Sequence, residues 1–105
     1  DFTRPQTDND RRGWKPTKKL KPWYDSEIKL TAISLDQSLA NNIKIKSSYT
    51  LIQDSARVNV QFSINGDGVI KVDYALEAHP ALPNIPKIGM QTAIARDYSQ
   101  IKWYG

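Results

Sequence analysis

A chain of 105 residues and 11.9 kDa holds one domain and leaves no room for a catalytic barrel with accessories. Its 39% hydrophobic and 25% charged content is ordinary globular usage, too apolar for general disorder. With no cysteine and one histidine, His79, it excludes disulfide scaffolds, thiolate metal sites and multi-histidine metal sites, and its net charge of +4 sits wholly at one end.

That end is residues 1–26, an irregular leader. Within residues 1–24, Arg4, Arg11, Arg12, Lys15, Lys18, Lys19 and Lys21 outweigh Asp1, Asp8 and Asp10, while residues 25–105 hold eight charges of each sign and are neutral. Pro5, Gly13, Pro16 and Pro22 break regular structure. One helical turn is expected to start at Pro16, where proline suits the first helical position, and to end at Pro22. Trp14, Trp23 and Tyr24 are interleaved with the cations, a pattern that can track a nucleic-acid backbone and stack bases. No nucleic-acid fold motif follows, so no nucleic-acid partner is expected, and the aromatics are read as packing on a neighbouring sheet. Asp1-Phe2-Thr3-Arg4-Pro5 is not a secretion signal, and no apolar run nears the roughly 18–20 residues of a membrane helix, so no membrane partner is expected. The missing initiator methionine reads as an excised or processed chain.

Residues 27–105 change to period two. Ile28 and Leu30 share one parity and Ile33 and Leu35 the other, so a bulge is expected at Thr31-Ala32. Asn41-Asn42 is a turn, and Ile43, Ile45, Ser47, Tyr49 and Leu51 form one face of the next strand. After a turn at Gln53-Asp54-Ser55-Ala56, Val58, Val60, Phe62 and Ile64 alternate with Arg57, Asn59, Gln61 and Ser63. Asn65-Gly66-Asp67-Gly68 is the strongest hairpin turn in the sequence, because these residues tolerate positive φ. Ile70, Val72, Tyr74, Leu76 and Ala78 return from it. His79 to Pro86 is an extended connection, since its prolines donate no amide hydrogens. Further strands are expected over Ile88–Ile94 and Gln100–Tyr104, making roughly six in an antiparallel all-β layout. The stop at Trp103-Tyr104-Gly105, inside an apolar strand, reads as a truncated domain.

No residue pattern assembles an active site. Asp8-Asn9-Asp10 with Gly13 matches the start of a calcium loop, but position twelve is Lys19 rather than glutamate and Arg11-Arg12 add positive charge. A turn capped by these short polar side chains is the expected structure. Asp54, Asp67, Asp73, Glu77 and Asp97 are scattered over turns and polar strand faces, with nothing to pair any two as a glycosidase requires. His79 lacks an accompanying serine or cysteine nucleophile motif. Neither catalytic nor metal-binding residues are assigned.

Four segments in order carry a family resemblance. Phe2-Thr3-Arg4-Pro5-Gln6-Thr7-Asp8-Asn9-Asp10 resembles the F-x-R-x-P-T-D-N-D signature opening the last domain of family-two glycoside hydrolases of the β-galactosidase type, with a small departure at Arg4-Pro5-Gln6-Thr7. Asn65–Val72 is similar to the hairpin in the middle of that region, and Leu82-Pro83-Asn84-Ile85-Pro86-Lys87-Ile88-Gly89-Met90 to its L-P-x-x-P-R-x-G connection. Ile101-Lys102-Trp103-Tyr104-Gly105 resembles the start of the W-Y-G-x-G-P-x-E-N-Y motif.

The resemblance implies the N-terminal portion of the small-chain, or fifth, domain: an antiparallel β-sandwich of the galactose-mutarotase-like (supersandwich) class, truncated. The catalytic glutamates and the magnesium and sodium ions of the family belong to other regions of the parent, so no cofactor is expected in this portion. Its implied contribution is architecture and an edge of the substrate cleft, through a loop carried onto Asp8, Asn9, Asp10 and Gly13. The implied partners are the remaining domains of the parent, which would bury Trp14, Trp23 and Tyr24, with galactoside bound only by the intact enzyme. The implied compartment is a bacterial cytoplasm or periplasm. The rival reading is a stand-alone carbohydrate-binding module with Trp14, Trp23 and Tyr24 as its stacking platform, and a third, ranked below it, is nucleic-acid binding through the basic leader. An open sheet edge and a half-covered apolar face further predict self-association.

Overall fold

The computed structural model describes residues 1–104. Four strands, β1 (Lys29–Leu39), β2 (Asn42–Leu51), β3 (Ala56–Asn65) and β4 (Ile70–Ala78), form one antiparallel sheet in the order β1-β2-β3-β4. The alternation read from the sequence explains this meander, since each strand puts its branched and aromatic residues on a common face. Cross-strand rows make that face continuous. Leu30, Tyr49, Val58 and Leu76 lie in one row, Ile33, Ser47, Val60 and Tyr74 in the next, and Leu35, Ile45, Phe62 and Val72 in a third. The register of β1 slips between Leu30 and Ala32, at the expected bulge. The extra residue returns Ile33 to the face of Leu30, so an odd sequence spacing yields an unbroken apolar surface.

Only one end of that surface is covered. Phe2, Leu20 and Trp23 of the leader form a single buried cluster with Leu51, Ala56, Val58 and Val60 of β2 and β3. Toward the β1 edge and the far end of the sheet, Ile33 is 67% exposed and Leu35 60%, and Ile43 and Ile70 are exposed as well. Every residue of β1 is exposed, leaving a long open edge.

The leader is more helical than expected. Asp10–Trp14 makes one π-helical turn, ended by Lys15 in the left-handed region, and is followed by α1 (Pro16–Lys19) and α2 (Lys21–Tyr24). Pro16 opens α1 as anticipated. Pro22 does not terminate the helical path, however; it sits in the first turn of α2, where its missing N–H has no partner to lose.

The β2–β3 turn places Ile52, Gln53 and Asp54 in succession at φ 53°, 51° and 66°. A branched side chain there costs about 1–2 kcal/mol. The turn is held because Leu51 and Ala56 at its two ends are buried and paired, and because the Ser55 N–H donates to the Ile52 carbonyl at 3.0 Å. The β3–β4 turn is simpler, with Gly68 at φ 79° where a side chain would be strained.

The expected strands over Ile88–Ile94 and Gln100–Tyr104 do not form, so the described residues contain four strands rather than six. Alternation supplies a face but not a partner, and unpaired backbone groups do not make a strand. Ile101 is 73% exposed and Trp103 81%, so neither has an apolar surface to bury against. Gly105, which closes the Trp103-Tyr104-Gly105 run, lies outside the described residues.

Candidate functional site

The segment singled out by its polar cluster is built on a part-buried ionic knot. Arg4 forks onto Asp10, its Nη1 donating to Oδ2 at 2.7 Å and its Nη2 to Oδ1 at 3.0 Å. The Thr7 backbone N–H and hydroxyl donate to Oδ2 at 2.9 and 3.0 Å, and the Asp10 N–H donates back to the Thr7 hydroxyl oxygen at 3.3 Å. Thr7 and Asp10 therefore form a reciprocal capping box opening the helical turn. Asp10 is only 8% exposed. Its carboxyl is held down from 3.8 to about 2, first by the Arg4 hydrogen bonds and then by those of Thr7. Both oxygens are committed to these donors, which leaves Asp10 unsuited to the calcium-loop role.

The lowered pKa of Asp10 has a consequence for stability. Asp10 contributes stability at pH values above about 4, and that contribution is lost as pH falls toward about 2. An Asp10→Asn variant is expected to be less stable than the native chain at neutral pH, with the gap narrowing in that acid window. Urea midpoints measured from pH 7 to pH 2 check it. A constant gap would refute the coupling.

The other residues of the cluster divide sharply. Asp8 and Asn9 are exposed, and Asn9 makes no side-chain capping bond. Gly13 is open, with nothing within 4 Å of where a Cβ would stand. Trp14 follows it at 43% exposure. Asp8, Asn9, Gly13 and Trp14 thus lie along one exposed helical turn braced by the Arg4–Asp10 knot. Trp23 is not with them. It is 2% exposed, its ring lies 6.0 Å from that of Phe2, and its Nε1 donates to the Pro83 carbonyl at 2.7 Å. Tyr24 is half-buried against the same cluster, and its hydroxyl donates to the Arg4 carbonyl at 3.3 Å. The three aromatics therefore do not share a platform. Trp23 spends its ring on the core, and Trp14 alone of the three offers a large exposed face.

Sequence reasoning missed two supports of this arrangement. Thr7 and Arg4 together hold Asp10; the Thr7-x-x-Asp10 spacing signals the capping box, while no spacing signals the Arg4 clamp. Asp1 and Gly89 exchange two backbone hydrogen bonds of 2.9 Å, and Lys87 pairs with the Asp1 carboxylate at 2.8 Å, so the leader is tied to the segment after β4. No sequence pattern marks that pairing.

The carboxylates Asp54, Asp67, Asp73 and Glu77 do not form one cluster. Asp54 and Asp67 lie in turns, Asp73 and Glu77 on the polar face of β4, with Asp73 paired to Lys71 at 2.9 Å. His79 lies in the loop after β4, its Nδ1 accepting the Ala81 N–H at 3.1 Å. Among the described residues, no group of three or more His, Cys, Asp or Glu is placed to hold a metal ion. No helix of the described residues is long and apolar enough to cross a membrane. The described residues form several grooves, of which two lie beside the leader. One of 410 Å³ lies between α2 and the β2–β3 turn, lined by Asp25, Glu27, Lys29 and Asp54 among others. An apolar one of 280 Å³ lies on the sheet beside Phe2 and Met90, where burial raises the pKa of the Tyr74 hydroxyl.

Fold and site together define an all-β domain whose leader is strapped across one end of a four-stranded sheet and presents one exposed polar–aromatic turn. The chain belongs to the β-galactosidase small-chain family, whose profile it matches over residues 1–105. A β-galactosidase of Clostridium acetobutylicum is 26% identical over 107 residues, covering 99% of this chain and 12% of that protein. A β-galactosidase of Streptococcus thermophilus is 26% identical over 112 residues, covering 99% of this chain and 10% of that protein. The chain thus spans about a tenth of the length of these relatives. No solved structure matches it.

Proposed function

We propose that this chain is the N-terminal portion of the small-chain domain of a larger β-galactosidase, where it supplies architecture and an edge of the substrate cleft rather than the reacting groups. The observation that carries this reading is the match of the whole chain to the small-chain family within relatives about ten times its length. The parent would hydrolyse terminal β-galactosides with retention, using a carboxylate pair and the magnesium and sodium ions of other domains. The scatter of carboxylates over separate turns and strands is consistent with that division of labour. The domain would complete a β-sandwich of the galactose-mutarotase-like class, its second layer covering the apolar rows around Ile33, Leu35 and Ile70. The exposed turn of Asp8, Asn9, Gly13 and Trp14 would face the cleft, with the Arg4–Asp10 knot fixing where it stands.

A chromogenic galactoside tests the reading in two arms. The chain alone is expected to release no product, and turnover abolished by replacing one of its own carboxylates would overturn the proposal. In the intact enzyme, Trp14→Ala is expected to raise KM several-fold with kcat less affected; unchanged kinetics would remove the cleft-edge role. The exposed Trp14 face also favours a second reading, weak sugar binding by the chain itself. Calorimetry with galactose and lactose decides that: millimolar binding supports it, and no heat rejects it.

A further inference from the structure

We propose that Asn65 is a site of spontaneous deamidation held in check by the β3–β4 turn, so that its conversion records opening of the hairpin. In Asn65-Gly66 a side-chain amide precedes the one residue without a Cβ, which leaves the following backbone nitrogen least hindered in approaching the side-chain carbonyl carbon. The reaction is internal to the chain. The Gly66 nitrogen gives up its proton to hydroxide and bonds to Asn65 Cγ; the Cγ–Nδ2 bond breaks and ammonia leaves. Water then opens the five-membered imide at either carbonyl, giving aspartate or isoaspartate. One water is consumed and one ammonia released, with no oxidant, metal or enzyme involved.

In the folded turn both reacting groups are occupied. The Gly66 N–H donates to the Asn41 carbonyl of the neighbouring β1–β2 turn at 3.1 Å. Asn65 Oδ1 accepts the backbone N–H of Asp67 at 3.1 Å and of Val69 at 2.9 Å, and Nδ2 donates to the Asp67 carboxylate at 3.5 Å. The Asn65 N–H donates to the Val69 carbonyl at 3.1 Å, closing the turn. Attack therefore requires release of Gly66 from Asn41 and rotation of the amide away from residues 67 and 69, a local opening rather than global unfolding. The products do not restore the turn. Aspartate at 65 loses the donor to Asp67 and sets two carboxylates side by side. Isoaspartate lengthens the backbone by one methylene just beyond the Ile64–Ile70 pair. Either one weakens the hairpin, so conversion favours further opening.

Two glycines separate the chemistry from the opening. Gly66 is not in the left-handed region, and an added Cβ would meet only Asn41, at 3.9 Å, so Gly66→Ala fits the turn while hindering attack. Gly68 is at φ 79°, so Gly68→Ala strains the turn without touching the reacting atoms. The full chain is held in mildly alkaline buffer with and without urea, and the peptide containing Asn65 is followed by mass and by isoaspartate assay. The unfolded chain is expected to convert at least about tenfold faster than the folded one. Gly66→Ala is expected to suppress conversion in both conditions. Gly68→Ala is expected to speed conversion several-fold without urea and leave the urea rate unchanged. Equal rates in folded and unfolded chains, or a folded-state rate indifferent to a well-folded Gly68→Ala variant, would overturn the proposal.

Discussion

Trp23→Ala is expected to cost about 3–5 kcal/mol, the range for deleting a buried large aromatic. The consequence is severe because the sheet has cover at only one end, and Trp23 is the largest side chain in that cover. Its ring packs with Phe2 in the buried cluster, and its Nε1 ties the leader to the Pro83 carbonyl, so the deletion loosens three segments at once. A domain typically holds a margin of only 5–15 kcal/mol. Urea titration followed by circular dichroism should show a midpoint far below that of the native chain, or no folded baseline. Trp23→Phe keeps an apolar ring and loses the hydrogen bond, so it is expected to retain most of the stability, losing about 1 kcal/mol for the bond and somewhat more for the smaller ring. An alanine variant with an unshifted midpoint would show that the leader is not what covers the sheet.

The second large effect is a contrast between two positions on the same face. Val58 and Ile33 lie in adjacent rows, yet Val58 is buried beneath the leader and Ile33 is 67% exposed. Val58→Asp strands a carboxylate among apolar side chains and is expected to cost more than about 3 kcal/mol. Ile33→Asp in the chain alone is expected to stay within about 0.5 kcal/mol, as for an ordinary exposed position. It is also expected to reduce self-association, read by light scattering, because it places charge in the uncovered apolar rows. In the intact enzyme the two substitutions should become comparably damaging, since the proposed second layer would bury Ile33 as well. Persistence of the contrast there would argue that this half of the sheet stays open.

The sheet was legible because its determinants are local. The run from Val58 to Ile64 alternates without interruption, Asn65-Gly66-Asp67-Gly68 permits the tight reversal, and both appear where they were expected. The bulge of β1 was also readable, because Leu30 and Ile33 can share a face only if one residue is set aside. The segment beyond Pro86 shows the opposite case. Ile88, Met90 and Ile94 carry a strand-like pattern, but pairing depends on a neighbour that the pattern does not specify. Pro22 misled for a related reason: proline breaks a helix in its interior and is tolerated in its first turn, and the position of that turn is set by how Leu20 and Trp23 dock.

The site divides in the same way. Composition alone removed thiolate and multi-histidine chemistry, and the polar run from Asp8 to Asp10 marked the turn. What each residue does there was settled by burial. Asp10 faces inward to Arg4 and Thr7, Asp8 and Asn9 face water, and the three aromatics part company, with Trp23 inside, Tyr24 half-buried and Trp14 exposed. Alternation and turn chemistry act over a few residues, so the amino-acid order by itself determined the facing of β1 to β4 and the hairpin turns between them. Which apolar surface is covered, and by which aromatic, depends on contacts between residues as distant as Trp23 and Pro83, and only the folded chain decides those.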